Sequence, residues 1–246
     1  IRLLDPPLHE FLPTDLELKD ENFAADLAKK CSLESADALR ETCEAKREKN
    51  PMMGLRGVRV GILEPKITVM QTQAIVNAML DAYIATGVHP NGKIMVPLVS
   101  TIDEFENQRA LIFQTIQQTF NARASEVSRE DVLGPNNREI PIGMMCETPR
   151  ACIVSGNLVE EGAAFMSFGS NDLSQLSFGF SRDDASAFLE KYKEFGIIET
   201  DPFNTIDVDG VGELIKMSVR GARAVNPKIP VSVCGEHGGD EKSIAF

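Results

Sequence analysis

The sequence predicts an α/β fold with a parallel sheet and, within that class, a (β/α)8 TIM-type barrel lacking its first and last strands. Three observations lead there. Short apolar runs recur along the chain, each followed by a turn signal and then a helical stretch, which is the pattern of a parallel sheet. The polar residues suited to chemistry fall just after strands in at least four units, as when one face of a barrel collects the working loops. No glycine-rich dinucleotide fingerprint opens the chain, which places an open doubly wound sheet behind the barrel. Only six strand-length runs are present, so two of the eight units are expected to be missing at the ends.

Residues 1–4 (Ile-Arg-Leu-Leu) read as the first of these strands. Residues 14–50 depart from the alternation. They are rich in charge, with Leu and Ala at helical spacing, and predict a helical insertion between the first two strands. The run 57–62 (Gly-Val-Arg-Val-Gly-Ile) reads as the second strand, and 68–86 as a helix in which Val69, Ala74, Ile75, Ala78, Met79 and Ala82 share a face. A strand is expected over 94–99, then a helix over 102–122 carrying Phe105, Leu111, Ile112, Ile116 and Phe120. Gly-Pro-Asn-Asn at 134–137 reads as a loop. Strands are expected at 140–145, 164–168 and 229–233, with a helix and loop over 182–205. There is no internal repeat or low-complexity tract, so residues 1–246 are taken as one domain.

Composition narrows the function. The 37 acidic residues against 25 basic ones give a net charge of −12, which disfavours a nucleic acid or an anionic membrane surface as partner. At 43% apolar and 25% charged the chain is globular in composition, and no apolar run is long enough to cross a membrane. Its start has no signal-peptide character, and it begins without Met, so it reads as a soluble excerpt of a longer chain. Five widely spaced cysteines with no CxxC pair, and three histidines, support neither a disulfide framework nor a zinc cage; a reducing compartment follows.

Glu147 and Asp172 follow neighbouring predicted strands. Two carboxylates at the same end of parallel strands can converge on a hard cation such as Mg2+; alternatively, Asn171 or Asp172 caps a helix and Glu147 is a solvated first-turn residue. Cys234 ends a strand and opens Cys-Gly-Glu-His-Gly-Gly, so its thiol could pass a proton to or from carbon, or could fill a strand end as a small apolar group. Arg2 and Arg56 are either ion-pair partners or clamps for carboxylate and phosphate. His9 and His237 read as bases, ligands or plain hydrogen-bonding residues; Met52, Met53, Met144 and Met145 as core or pocket wall.

Read together, Leu3-Leu-Asp-Pro-Pro-Leu-His-Glu-Phe-Leu-Pro13, Asn50-Pro-Met-Met-Gly-Leu-Arg-Gly57, Glu147-Thr-Pro-Arg-Ala151, Ser167-Phe-Gly-Ser-Asn-Asp-Leu-Ser-Gln175, Phe178-Gly-Phe-Ser-Arg-Asp-Asp184 and Cys234-Gly-Glu-His-Gly-Gly239 resemble the C-terminal phosphoenolpyruvate-binding domain of the pyruvate phosphate dikinases. The resemblance runs through the whole chain in order. Phosphoenolpyruvate synthase and the sugar-transport enzyme I share part of it, and a barrel fragment serving only as a binding or assembly module is a third reading.

The resemblance implies Glu147 and Asp172 as Mg2+ ligands, Arg2 and Arg56 on the substrate's phosphoryl or carboxylate oxygens, and Gly169, Ser170 and Asn171 in the substrate-binding loop. Cys234 matches the residue that protonates or deprotonates the three-carbon unit. Ser170 stands where Thr is usual and Thr148 where Ile is common. The family's Cys-Arg-Thr-Glu-like and Ser-Cys-Ser-Pro-Phe-Arg-like end segments are absent, as are its phosphocarrier histidine and ATP-binding domain. The implied partners are therefore pyruvate or phosphoenolpyruvate and a phosphohistidine domain of the same polypeptide, in a homodimer located in the cytoplasm, or in an organelle if a targeting segment lies upstream. These 246 residues alone are expected to be inactive and to self-associate through open strand edges.

Overall fold

The computed structural model describes residues 1–48, 50–135 and 139–246, with the side chains of Leu8 and His9 set apart from that description. Its centre is a parallel sheet of β1 (Ile94–Val96), β2 (Ile142–Cys146), β3 (Met166–Gly169) and β4 (Val231–Cys234), paired in that order. Register places Val96 opposite Met144, Cys146 opposite Phe168, and Gly169 opposite Cys234. The strands thus end nearly level, and the residues after them emerge on one rim. β2 and β3 are buried throughout, which explains why their sequences run apolar without alternation.

Before the sheet come α1 (Asp15–Lys19), α2 (Glu21–Lys30) and α3 (Ala36–Ala45), the helical segment expected over 14–50. Thr14, Asp20 and Ser35 cap them, and Leu18, Ala24, Ala28, Leu39 and Cys43 form a small core of their own. Next are α4 (Val58–Leu63) and α5 (Pro65–Thr86), the latter opened by a proline and closed by left-handed Gly87. After β1, α6 (Ile102–Ala122) starts at a capping box between Thr101 and Glu104 and turns Phe105, Ile112, Ile116 and Phe120 into the main core. The chain continues through α7 (Arg129–Leu133), then α8 (Pro149–Ile153) and α9 (Ser155–Glu160) after β2. After β3 come α10 (Ser170–Phe178), α11 (Arg182–Glu194) and α12 (Val211–Val225), and α13 (Glu241–Ala245) follows β4.

Two expected strands take other forms. Residues 57–62 are not a strand but the start of α4: Gly57, at φ +56°, turns the chain, and Val58, Val60 and Gly61 face inward on a helix packed against α5 and α6. An apolar run of that length carries no decisive periodicity and fits a buried helix as well as a strand. Residues 1–4 contribute a single parallel bridge, Arg2 to Met95, with Met95 N–H bonded to Ile1 O and Leu3 N–H to Met95 O, both at 2.9 Å. The sheet among the described residues is thus four-stranded, where six strands were expected. The loop expected at 134–137 lies partly outside the described residues; Gly134 ends α7.

Among the described residues no helix is long and apolar enough to cross a membrane. All five cysteines are free, with Cys43, Cys146 and Cys152 buried and Cys31 exposed.

Candidate active site

The rim where the strands end gathers most of the residues singled out from the sequence. Glu147 follows β2 directly and is buried, its Oε1 accepting the Leu98 N–H at 2.6 Å. It is therefore not a solvated first-turn residue. Gly169, at the end of β3, lies beside it, and a β-carbon there would lie 2.1 Å from Glu147 Oε2. Only a glycine leaves room for the carboxyl group.

Asp172 lies in the first turn of α10, whose N-cap is Gly169, so neither Asn171 nor Asp172 caps that helix. Its carboxylate faces Arg56, with Nη1 donating to Oδ1 at 2.7 Å and Nη2 to Oδ2 at 3.2 Å. Arg56 is buried and also donates from Nη2 to Asp5 Oδ2 at 2.5 Å and from Nε to Asp5 O at 3.3 Å. Arg2 adds a third donor, Nη1 to Asp5 Oδ2 at 3.1 Å. Both arginines are thus ion-paired in this structure, the first of the two roles weighed for them.

Asp5 is the residue that sequence reasoning missed. It follows the first apolar run just as Glu147 follows its strand, and that placement was the available signal. Asp5, Glu147 and Asp172 each offer a carboxylate oxygen, all within 4.8 Å of one another. Asp5 Oδ1 is buried without a hydrogen-bond partner.

Three carboxylates crowd two guanidiniums here, and the electrostatics follow. Burial first, then the nearness of Asp5 and Asp172, pushes the Glu147 carboxyl up to about 8, against the pull of the Leu98 N–H and Arg56. For Arg56, burial opposes the charge, but the bonds to Asp172 and Asp5 outweigh it and hold the guanidinium ionised.

Cys234 ends β4 on the same rim. It is half-buried, its thiol 3.4 Å from the Phe168 carbonyl and 3.6 Å from Met145 Sδ. Burial pushes the thiol up, a bond with Ser167 pulls it back, and the charge of Glu147 raises it further. At neutral pH it holds its proton. Ser170, fully buried, places its hydroxyl 2.9 Å from Cys234 O, and Asn171 donates from Nδ2 to Glu236 Oε2 at 2.6 Å.

His237 is buried and hydrogen-bonded, while the side chain of His9 lies outside what is described. Met144 and Met145 are core, as expected; Met53 is exposed, and Met52 offers its carbonyl to Arg56.

A family model described as the PEP-binding domain of PEP-utilising enzymes matches residues 1–246. The chain belongs to this family. It is 42% identical over 246 residues to pyruvate, phosphate dikinase 2 of Zea mays, 39% over 246 residues to pyruvate, phosphate dikinase of Clostridium symbiosum, and 44% over 247 residues to that of Rhizobium meliloti. Each alignment covers all of this chain but only 26%, 26% and 25% of the respective relative, so the chain spans about a quarter of the relatives it matches. The identification made on Leu3 to Pro13, Glu147 to Ala151 and Cys234 to Gly239 holds at the level of the family.

Proposed function

We propose that the chain is the pyruvate- and phosphoenolpyruvate-binding catalytic domain of a pyruvate phosphate dikinase. The observation that carries this reading is the convergence of Asp5, Glu147, Asp172, Arg2, Arg56 and Cys234 on the rim where the parallel strands end. The full polypeptide would interconvert ATP, phosphate and pyruvate with AMP, pyrophosphate and phosphoenolpyruvate, the phosphoryl group arriving on a histidine of another domain. The sheet order supports part of a (β/α)8 barrel over residues 1–246, because β1 to β4 pair strictly in sequence with no reversal of strand order and the Arg2 bridge extends them at the β1 edge.

The donor set fits Mg2+. Glu147 and Asp172 would hold it, with the unpartnered Asp5 Oδ1 close by, and all three are the hard oxygen ligands that this ion takes. When bound, Mg2+ supplies positive charge that eases formation of an enolate from pyruvate. The chain's own residues account for the rest. Arg2 and Arg56 present planar donor forks suited to carboxylate and phosphoryl oxygens, and Gly169 to Asn171 form the turn against which the three-carbon unit lies. Cys234, protonated on the neighbouring strand, gives its proton to the methylene carbon of the enolate left once phosphoenolpyruvate has passed its phosphoryl group to the carrier histidine, and as thiolate takes a proton from the pyruvate methyl in the opposite direction. Burial of Glu147 and Arg56 keeps water from the charged atoms and strengthens each contact.

The test separates the two half-reactions. In the full-length protein, Cys234→Ala is expected to abolish proton exchange at the pyruvate methyl while leaving phosphorylation of the carrier histidine by ATP intact. Exchange at the wild-type rate would assign the carbon chemistry to another residue.

A further inference from the structure

The turn after Cys234 carries two side chains to which the reaction above gives no part. Gly235, at φ +92°, reverses the chain so that Glu236 and His237 face back toward the turn between β3 and α10. Glu236 accepts from Asn171 Nδ2 at 2.6 Å and from Arg182 Nη2 at 2.7 Å. His237 is 1% exposed, with Nδ1 2.6 Å from Ser170 Oγ and Nε2 3.0 Å from the Pro202 carbonyl. Consecutive residues of one turn thus hold consecutive residues of the other.

The ring orientation follows from the partners. A carbonyl oxygen only accepts, so Nε2 carries a hydrogen and donates it to Pro202, which leaves Nδ1 to face Ser170. The Ser170 hydroxyl lies 2.6 Å from Nδ1 and 2.9 Å from the Cys234 carbonyl, two acceptors that share its one hydrogen. His237 is therefore anchored on the loop after α11, grips the start of α10, and through Ser170 reaches the backbone of the cysteine.

We propose that His237 is a positioning residue for the carbon chemistry: through Ser170 Oγ it sets how Cys234 is placed against the Gly169 to Asn171 turn. The inference rests on the reading of Cys234 as the acid–base group. A thiol must meet a carbon at near-contact distance and along one direction, and small displacements of such a pair lower the rate steeply.

The test is pyruvate methyl exchange in D2O, followed by NMR with Mg2+ and the full-length protein. His237→Ala should lower kcat for exchange about tenfold or more while KM for pyruvate moves less than about threefold, because alignment and not binding is lost. Two further variants separate positioning from filling space. His237→Asn keeps a polar atom where Nδ1 stood and should recover most of the rate. His237→Gln fills more volume and reaches toward Pro202, and should not. In a Ser170→Ala background the difference between Asn and Gln should vanish, since the coupling runs through that hydroxyl.

If Gln restores exchange as well as or better than Asn, His237 only fills its cavity and the proposal is overturned. The Asn and Gln pair decides the matter even where the Ala variant fails to fold. Wild-type protein that exchanges no methyl protons would instead overturn the reading of Cys234 itself, and this inference with it.

Discussion

Gly169→Ala isolates the geometry on which the candidate site depends. The backbone at Gly169 has φ −81°, where alanine sits without strain, so any effect comes from the added methyl group alone. That methyl would stand 2.1 Å from Glu147 Oε2 and 2.8 Å from Glu147 Cβ. Ordinary contact begins near 3.4 Å, so the carboxyl must retreat by about 1.3 Å. It cannot do so freely, because Glu147 is buried and Oε1 is held by the Leu98 N–H at 2.6 Å. Forcing a methyl into a packed site costs roughly 1–3 kcal/mol, and leaving a buried hydrogen-bonding group unpaired costs roughly another 1–3 kcal/mol. The expected destabilisation is therefore about 2–6 kcal/mol, and for a chain of this size each kcal/mol lowers Tm by about 2–4 °C. Calorimetry measures the first effect. Isothermal titration with Mg2+ measures the second, a loss of affinity because one carboxylate has been moved out of the cluster. A variant with unchanged Tm and unchanged Mg2+ affinity would refute the claim that Glu147 is locked against the β3 backbone.

Three other outcomes are expected. Arg56→Met removes the partner of both Asp5 and Asp172 and should destabilise the fold by about 3–5 kcal/mol in denaturant titration, the usual effect of stranding a buried charge; the double variant Arg56→Met with Asp5→Asn should recover part of it. Bonds from Asn171 and Arg182 hold the Glu236 carboxyl down at about 2, below its ordinary 4.5, so its stabilisation is complete above pH 4.5 and is lost as pH falls toward 2. Glu236→Gln should flatten that part of the pH–stability curve without changing stability at pH 7 by more than about 1 kcal/mol, since the group is half exposed. Ser232 and Val233 leave an exposed stretch on β4, the last strand of the sheet, so the 246-residue chain should self-associate with concentration in light scattering, and Val233→Lys should suppress it; monodisperse behaviour of the unmodified chain at high concentration would contradict this.

What the sequence made legible was whatever local pattern determines. α6 has a capping box at one end and an unbroken apolar face, and its bounds of 102 and 122 could be read directly. Glu147 and Cys234 could be found because a polar residue just after an apolar strand is conspicuous, and Asp172 because it lies a few residues beyond one. The same rule applied to residues 1–4 points to Asp5, which follows that run directly. α4 is not legible because a short apolar run fits strand and buried helix alike, and what decides the segment is packing against α5 and α6, the latter distant in sequence. His237 could be named as a base, ligand or hydrogen-bonding residue, but its contacts had no local signal. Its partners, Ser170 and Pro202, are 67 and 35 residues away, and nothing in a lone histidine reports such distances.

The charge balance of the site links its two chemical parts. Arg2 and Arg56 oppose Asp5, Glu147 and Asp172, leaving one negative charge in excess unless Glu147 keeps a proton. Its carboxyl, raised to about 8, keeps one at neutral pH. On the proposed reading, Glu147 and Asp172 would hold a divalent cation, whose positive charge would offset the crowding of carboxylates. Asp172, and Glu147 once it is ionised, are among the charges that raise the Cys234 thiol. Neutralising them therefore removes part of what holds the thiol protonated, while Arg2, which pulls the other way, stays in place. On the proposed reading, metal and thiol would be coupled through shared neighbours without touching each other. A site with the carboxylates alone, or the cysteine alone, would lack this coupling, and its geometric basis is the level ending of β2, β3 and β4 that sets Glu147, Asp172 and Cys234 on one rim.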